Sequence, residues 1–328
     1  MTHHRLITSP FELSENHTMS SSVQHVTIDE GHEGQRIDNF LLSQLKGVPK
    51  SRVYRILRKG EVRVNKKRIK QTYRLQIGDL VRIPPVRMAE VGEAPPAPPP
   101  FLKCLQDSIL YEDEQLIVIN KPSGLAVHGG SGINIGVIEG FRQLRPDARF
   151  LELVHRLDRD TSGCLMIAKK RSMLRSLHTM LRDGAISKTY CALMRGGWHG
   201  KEKRVEAPLQ KNTLKSGERM VRVRPDGKSA LTTFYPEKHF SDATFVQIDL
   251  GTGRTHQIRV HAQHIKKPIA GDDKYGDQQF NEKMRARGLK RLFLHAQELR
   301  FIHPVAEVTL AVQAPLSDDL NAILEKMR

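Results

Sequence analysis

Apolar residues recur at three- and four-residue spacing through Ile37, Phe40, Leu41 and Leu45, which predicts a helix ended by Gly47-Val48-Pro49. A second helix is expected from a Ser51 cap to about Lys59, with Val53, Ile56 and Leu57 facing a core. Arg52, Arg55 and Lys59 fall on its other face, and Gly60 closes it. Residues 61–65 alternate as a strand, Lys66-Lys67-Arg68 reads as a loop, and a Gly78-Asp79 turn leads into a strand over Leu80–Ile83. Residues 1–22 are polar and aperiodic and are expected to be a disordered tail. Within it Met19 would serve as an alternative start.

Five of residues 95–100 are proline, so 88–100 reads as an extended spacer rising ~3.1 Å per residue. That spacer is expected to part a small basic domain, 23–87, from a larger one, 101–328. In the larger domain strand-like runs at 116–119, 188–194, 231–235, 245–250, 292–294 and 308–312 alternate with helical stretches at 133–144, 172–181 and 257–265. The expected class is α+β, a mixed, mainly antiparallel sheet with helices packed on it.

Two further apolar runs, 150–154 and 164–168, read as buried strands around the charged stretch Val154-His155-Arg156-Leu157-Asp158-Arg159-Asp160-Thr161-Ser162-Gly163. A loop fixed at both ends and this rich in charge suits chemistry, although a turn pinned by surface ion pairs has the same composition. Asp160 is expected to bond its own turn, which leaves Asp158 as the freer carboxylate between Arg156 and Arg159. In Lys188-Thr189-Tyr190 the lysine and tyrosine share one strand face. In Gly251-Thr252-Gly253-Arg254-Thr255-His256-Gln257-Ile258-Arg259 a glycine turn opens a helix. A lone Gly-x-Gly without a βαβ setting is no dinucleotide fingerprint. Arg254 and Arg259 are the candidates there, as partners for a carboxylate or phosphate.

Charge narrows the partner. The net charge is +17. Residues 34–87 hold 15 Lys and Arg against three acids, so one small segment carries most of the excess. A cluster of that density points to a polyanion. No apolar run approaches the length of a membrane span, and no apolar segment follows Met1 as a signal peptide would require. Cys104, Cys164 and Cys191 have neither disulfide-scaffold nor zinc spacing, which fits a reducing cytoplasm. Among the histidines only His261 and His264 have ligand-like spacing, and no H-E-x-x-H occurs, so no metal is expected. Ser162 lacks the G-x-S-x-G elbow of a hydrolase triad. No long heptad or edge-strand signal calls for an oligomer, so a monomer is expected.

The 34–84 pattern Gln35-Arg36-Ile37-Asp38, Ser51-Arg52-Val53 and Val62-Arg63-Val64-Asn65 resembles the RNA-binding domain of small-subunit ribosomal protein four. Arg52, Arg55, Lys59, Lys66, Lys67 and Arg68 would be its RNA contacts. The run H-R-L-D-x-x-T-S-G, then K-x-Y, then G-R-T-H-Q-I-R resembles the RNA pseudouridine synthases, in particular the group acting on large-subunit ribosomal uridines. The stretches 46–51 and 127–132 look like a member of that group that acts on several 23S rRNA uridines. The resemblance implies detachment of uracil at N1, rotation and reattachment through C5, with no metal or nucleotide cofactor. It makes Asp158 the catalytic carboxylate, paired with Arg254, and Tyr190 the ring against the target base and a late proton acceptor. Ile258 would be an apolar wall. Arg156 would fill the gap left by the flipped base or hold its phosphate, and Lys121 and Lys188 would contact phosphates. The partner would be 23S rRNA, naked or in an assembly intermediate. Two other readings stay open from the residues: a glycosidase-like hydrolase using Asp158 and Asp160, and an RNA-binding protein without activity.

Overall fold

The computed structural model describes residues 22–29, 32–45, 47–86, 96–130, 135–198, 200–213 and 219–327. The expected disordered tail therefore lies outside the described residues except at Ser22, and so does most of the expected spacer. The chain forms two compact units, Met1–Ala94 and Pro95–Arg328.

In the first unit β1 (Gln24–Thr27), α1 (Ile37–Gln44), α2 (Lys50–Lys59), β2 (Arg63–Val64), β3 (Lys67–Arg68) and β4 (Leu80–Ile83) follow one another. The strands form a sheet in the order β1-β4-β2-β3. The apolar faces read from the sequence meet in one core: Ile37, Phe40 and Leu41 of α1 and Val53, Ile56 and Leu57 of α2 pack with Val64, Val81 and Ile83. Two expectations are corrected. Ser51 is not a cap; α2 starts at Lys50 with Pro49 as N-cap, because a ring-fixed φ near −56° suits that position. Lys66-Lys67-Arg68 is not a loop. Asn65 and Lys66 adopt φ of 49° and 66°, the left-handed pair of a two-residue hairpin turn, so Lys67 and Arg68 form the return strand.

The second unit begins with α3 (Pro99–Asp107), β5 (Ile109–Glu112), β6 (Leu116–Lys121), α4 (Val137–Leu144), β7 (Glu152–Leu153), β8 (Ser162–Ala168), α5 (Arg171–Asp183) and β9 (Ser187–Arg195). It continues with β10 (Lys203–Glu206), β11 (Leu209–Thr213), β12 (Arg219–Val223), β13 (Leu231–His239), β14 (Ala243–Leu250) and α6 (Gln257–His264). α7 (Gln278–Ala286), β15 (Leu294–Ile302), β16 (Thr309–Gln313) and α8 (Asp318–Lys326) complete it. The end of the expected spacer is not extended: Pro99 and Pro100 open α3, where a missing N–H costs nothing. Ala97 is buried and its N–H donates to Gln143 Oε1 of α4.

Ten strands form one sheet, with the path β10-β13-β14-β9-β15-β8-β6-β5 and with β16 and β7 added on β15 and β8. Among the described residues every pairing in it is antiparallel except β15 with β8, as the mainly antiparallel expectation has it. Both faces are buried, so strand residues alternate between two cores. Ile117, Ile119, Leu165 and Ile167 go to one, with Phe141 of α4. Leu116, Val118, Cys164 and Met166 go to the other, with Met173 and Leu177 of α5. Gly163 marks the tightest approach: a side chain there would put Cβ 2.2 Å from the Ala296 carbonyl oxygen of β15, and its φ is +108°. The hairpin β11–β12 stands off the sheet as a separate two-stranded ribbon.

Candidate active site

The charged stretch 154–161 joins β7 to β8, and the segment after β6 clamps it. Gly124 N–H donates to Arg159 O at 2.9 Å, and Ser123 Oγ donates to Asp160 O at 2.7 Å. Lys121 completes the clamp and is no phosphate contact, which corrects the expectation. It is fully buried, and its Nζ donates to the carbonyls of Pro122 (2.8 Å), Leu125 (2.9 Å) and Arg159 (3.0 Å). Burial pushes this ammonium down to about 7, and the charges of Asp160 and Asp158 act the other way. Three carbonyl acceptors match the three hydrogens of the charged form. Lys121→Met would leave those carbonyls without that donor, so a loss of about 2–3 kcal/mol in unfolding free energy is expected. Urea titration measures it, and a loss below about 0.5 kcal/mol would show that the clamp holds without the ammonium.

Asp158 is partly exposed at the tip of this loop. Its Oδ2 lies 3.4 Å from Arg259 Nη1 and its Oδ1 lies 3.8 Å from His256 Nε2. The expected partner, Arg254, lines the smaller of the two cavities beside Asp158 but is not paired with it: it is exposed and its Nε donates to Ser229 O at 3.1 Å. The reason is the helix start. Gln257 Oε1 accepts from the Arg254 backbone N–H and from Thr252 Oγ1, which fixes the turn and leaves Arg254 outside it. Arg259, in the first turn of α6, is carried inward; residues 257–262 are all buried. Its Nε and Nη2 form a two-point fork with Asp272, both at 2.8 Å. Burial alone would lower the Arg259 pKa, but the hydrogen bonds and charge of Asp272, then Asp158, hold it above its usual range. The guanidinium also lies 5.1 Å over the Tyr275 ring.

His256 is held by the same tyrosine. Tyr275 Oη accepts the Val221 N–H at 3.0 Å and lies 2.8 Å from His256 Nδ1. With its hydroxyl proton given to Nδ1, the imidazole carries its own proton on Nε2, toward Asp158. Asp272, Tyr275 and His256 were not singled out as site residues from sequence. His155 and His261 serve the scaffold: His155 Nε2 accepts the Met166 N–H, and burial pushes its pKa down to about 4. His261 is bound to Thr232 Oγ1 and the Ala207 carbonyl, and no cluster of three or more metal-ligating side chains occurs among the described residues.

Two adjoining cavities share Arg156, Leu157, Asp158, His256 and Arg259 as their common wall. The smaller, ≈ 620 Å³, is lined by Lys188, Tyr190, Leu250, Ile258 and Leu294. Burial, then the charge of Asp158, pushes the Tyr190 phenol up, so it is protonated at neutral pH. Burial lowers the Lys188 pKa at the same wall. The larger, ≈ 950 Å³, is lined by His128, Gly129, Arg159, Arg285, Lys290 and Arg291 among others. Arg156 is exposed at the rim common to both.

In the first unit Arg55 and Lys59 are exposed on one face of α2 with Arg52 half-buried beside them, and Lys66 and Lys67 are exposed at the hairpin. Arg68 folds back, its Nη2 donating to the Arg58 carbonyl at the end of α2.

Two adjoining cavities with one carboxylate between a guanidinium and an imidazole at their common wall, on a mainly antiparallel sheet, define the class. The family model described as RNA pseudouridylate synthase matches residues 115–264, and the S4 domain model matches residues 35–81. The chain belongs to the RNA pseudouridylate synthase family. It is 57% identical over 316 residues to ribosomal large subunit pseudouridine synthase C of Escherichia coli strain K12, spanning 95% of this chain and 98% of that protein. The protein of the same description from Haemophilus influenzae is 58% identical over 311 residues, spanning 94% and 97%. Among solved structures, human RNA pseudouridylate synthase domain containing 4 superposes with a TM-score of 0.58 at 26% identity, over 69% of this chain and 95% of that one.

Proposed function

We propose that this enzyme converts specific uridines of large-subunit, 23S ribosomal RNA to pseudouridine, with Asp158 as the reacting carboxylate. The observation that carries the reading is Asp158 itself, held at the junction of two cavities by Arg259, which Asp272 holds in turn. The relatives are large-subunit enzymes at 57–58% identity over nearly the whole chain.

The target uridine leaves its stack at a cost of a few kcal/mol, and Arg156 at the rim occupies the gap or holds the displaced backbone. Uracil enters the smaller cavity, against Tyr190 on one side and Ile258 on the other. Asp158 acts at the sugar, by attack on C1′ or through a glycal, as the N1 bond breaks; uracil turns and rejoins through C5. Arg259 fixes the rotamer of Asp158 and keeps its negative charge directed at the sugar. Because its phenol is protonated beforehand, Tyr190 takes the C5 proton only as it passes its own to water, and the freed N1 takes up one proton, so no atom is gained or lost. Lys188 stands at the cavity wall, placed to meet a phosphate. The partner is rRNA or an assembly intermediate, the enzyme acts as a monomer in the cytoplasm, and no helix among the described residues is long and apolar enough to cross a membrane.

The test is carbodiimide mapping of large-subunit rRNA after incubation with the enzyme, with free uracil assayed in parallel. New reverse-transcription stops without free uracil are expected. Free uracil without stops would instead make the protein a hydrolase. In the first unit Arg52, Arg55 and Lys59 supply affinity. Replacing them by Gln is expected to flatten log K against log[salt] by ~0.7 per lost phosphate contact on single strands, and an unchanged slope would remove them from the interface.

A further inference from the structure

The larger cavity has a cationic wall that the chemistry at Asp158 does not use. Its most built member is Arg291. Arg291 Nη2 donates to Ser162 Oγ at 2.6 Å, Ser162 Oγ lies 2.9 Å from His295 Nδ1, and His295 Nε2 lies 3.0 Å from the Ala314 carbonyl. A carbonyl only accepts, so Nε2 donates; burial lowers the His295 pKa, so its neutral Nδ1 accepts from Ser162, and Ser162 accepts from Arg291. The guanidinium is therefore oriented by a chain of neutral groups. Its fully buried Nε makes no hydrogen bond among the described residues, and the carboxylate nearest it, Asp319 Oδ2, is 3.7 Å away on a side chain 55% exposed. A guanidinium only 17% exposed with so loose a counter-ion is costly until an anion joins it. Lys290, next in the chain, is exposed on the same wall, and so is Arg285, whose carboxylate partner Asp273 is itself 82% exposed.

We propose that Arg291 and Lys290 form a phosphodiester-binding subsite that holds the backbone of an RNA nucleotide flanking the target uridine. The two cavities share the Arg156–Asp158 wall, so one strand crossing it places its base in the smaller cavity and a neighbouring phosphate in the larger. Nε is buried and one Nη2 hydrogen is taken by Ser162, so Arg291 meets a phosphodiester oxygen with its Nη end, and the lysine adds a point charge. Ser162, the hydroxyl that ends the charged loop, is a positioning residue: it aims Arg291. The subsite rests on the reading of Asp158 as the reacting carboxylate.

The test uses the full-length protein and RNA fragments carrying the target uridine and one neutral methylphosphonate, moved position by position along both flanks. Wild-type protein is expected to lose about five- to tenfold in affinity at one flanking position. Lys290→Gln and Arg291→Gln proteins bind all fragments more weakly and lose less than twofold at that position. Lys290 is exposed, so its variant keeps the test alive if Arg291→Gln does not fold. Equal losses in wild type and Lys290→Gln at every position overturn the subsite. Inorganic phosphate that binds wild type and not the variants, with no position-dependent loss, assigns the wall to free phosphate and overturns the RNA role. Pseudouridine formation by Asp158→Asn, assayed separately, would sink the reading of the active site without altering the methylphosphonate pattern.

Discussion

Asp158→Asn is expected to lower the rate of pseudouridine formation by about 10⁴-fold or more. The amide keeps the shape of the side chain and removes its charge and its nucleophilic oxygen. The scaffold tolerates the change, because Arg259 retains its fork on Asp272 and the loop retains its carbonyl bonds to Lys121 and to Gly124 N–H. The loss therefore falls on chemistry, and the variant remains folded. Release of tritium from RNA labelled at uracil C5 measures it under single turnover. A rate within tenfold of wild type would remove Asp158 as the reacting group and leave the cleft as a binding surface.

Arg259→Met is expected to cost about 3–5 kcal/mol in stability as well as activity, because removing one partner of a buried pair strands the other. Asp272 is the stranded group: its side chain is 1% exposed, and Oδ1 already accepts the N–H groups of Lys274 and Tyr275. Arg254→Met, by contrast, changes an exposed side chain and is expected to stay within about 0.5 kcal/mol. Denaturant midpoints of the two variants decide between the arginines. Combining Arg259→Met with Asp272→Leu is expected to restore part of the stability and none of the activity. Equal midpoints for the two single variants would overturn the Arg259–Asp272 pair as the anchor of the site.

The two arginines also show where sequence reading stops. They lie five positions apart in one motif, and either spacing suits a carboxylate. What separates them is burial: α6 is buried through residues 257–262, and a cation on such a helix needs an acid that arrives from a later segment, Asp272. No periodicity marks that segment. Lys121, on the other hand, carries two opposing signals in the sequence. Strand alternation puts it on the face of Ile117 and Ile119, which points into the core, whereas Asn-Lys-Pro-Ser-Gly by composition reads as an exposed turn. The helices of the first unit and the loop around Asp158 were readable because amphipathic spacing and bounded apolar runs are local signals. The Ser51 cap and the Lys66–Arg68 loop failed because a proline and a positive-φ asparagine outweighed side-chain preference.

Gly163 ties the reacting loop to β15 at Ala296, and Ser162 beside it meets His295, a partner 133 residues later in the chain. During synthesis the loop therefore leaves the ribosome well before the strand that seats it. Contacts of such long sequence separation form late, after loop-closure entropy has been overcome. The first unit, whose widest strand pairing joins Gln24 to Ile83, leaves the ribosome long before. A nascent chain of this protein thus exposes the segment that matches the S4 domain before the strand that seats the Asp158 loop has been made.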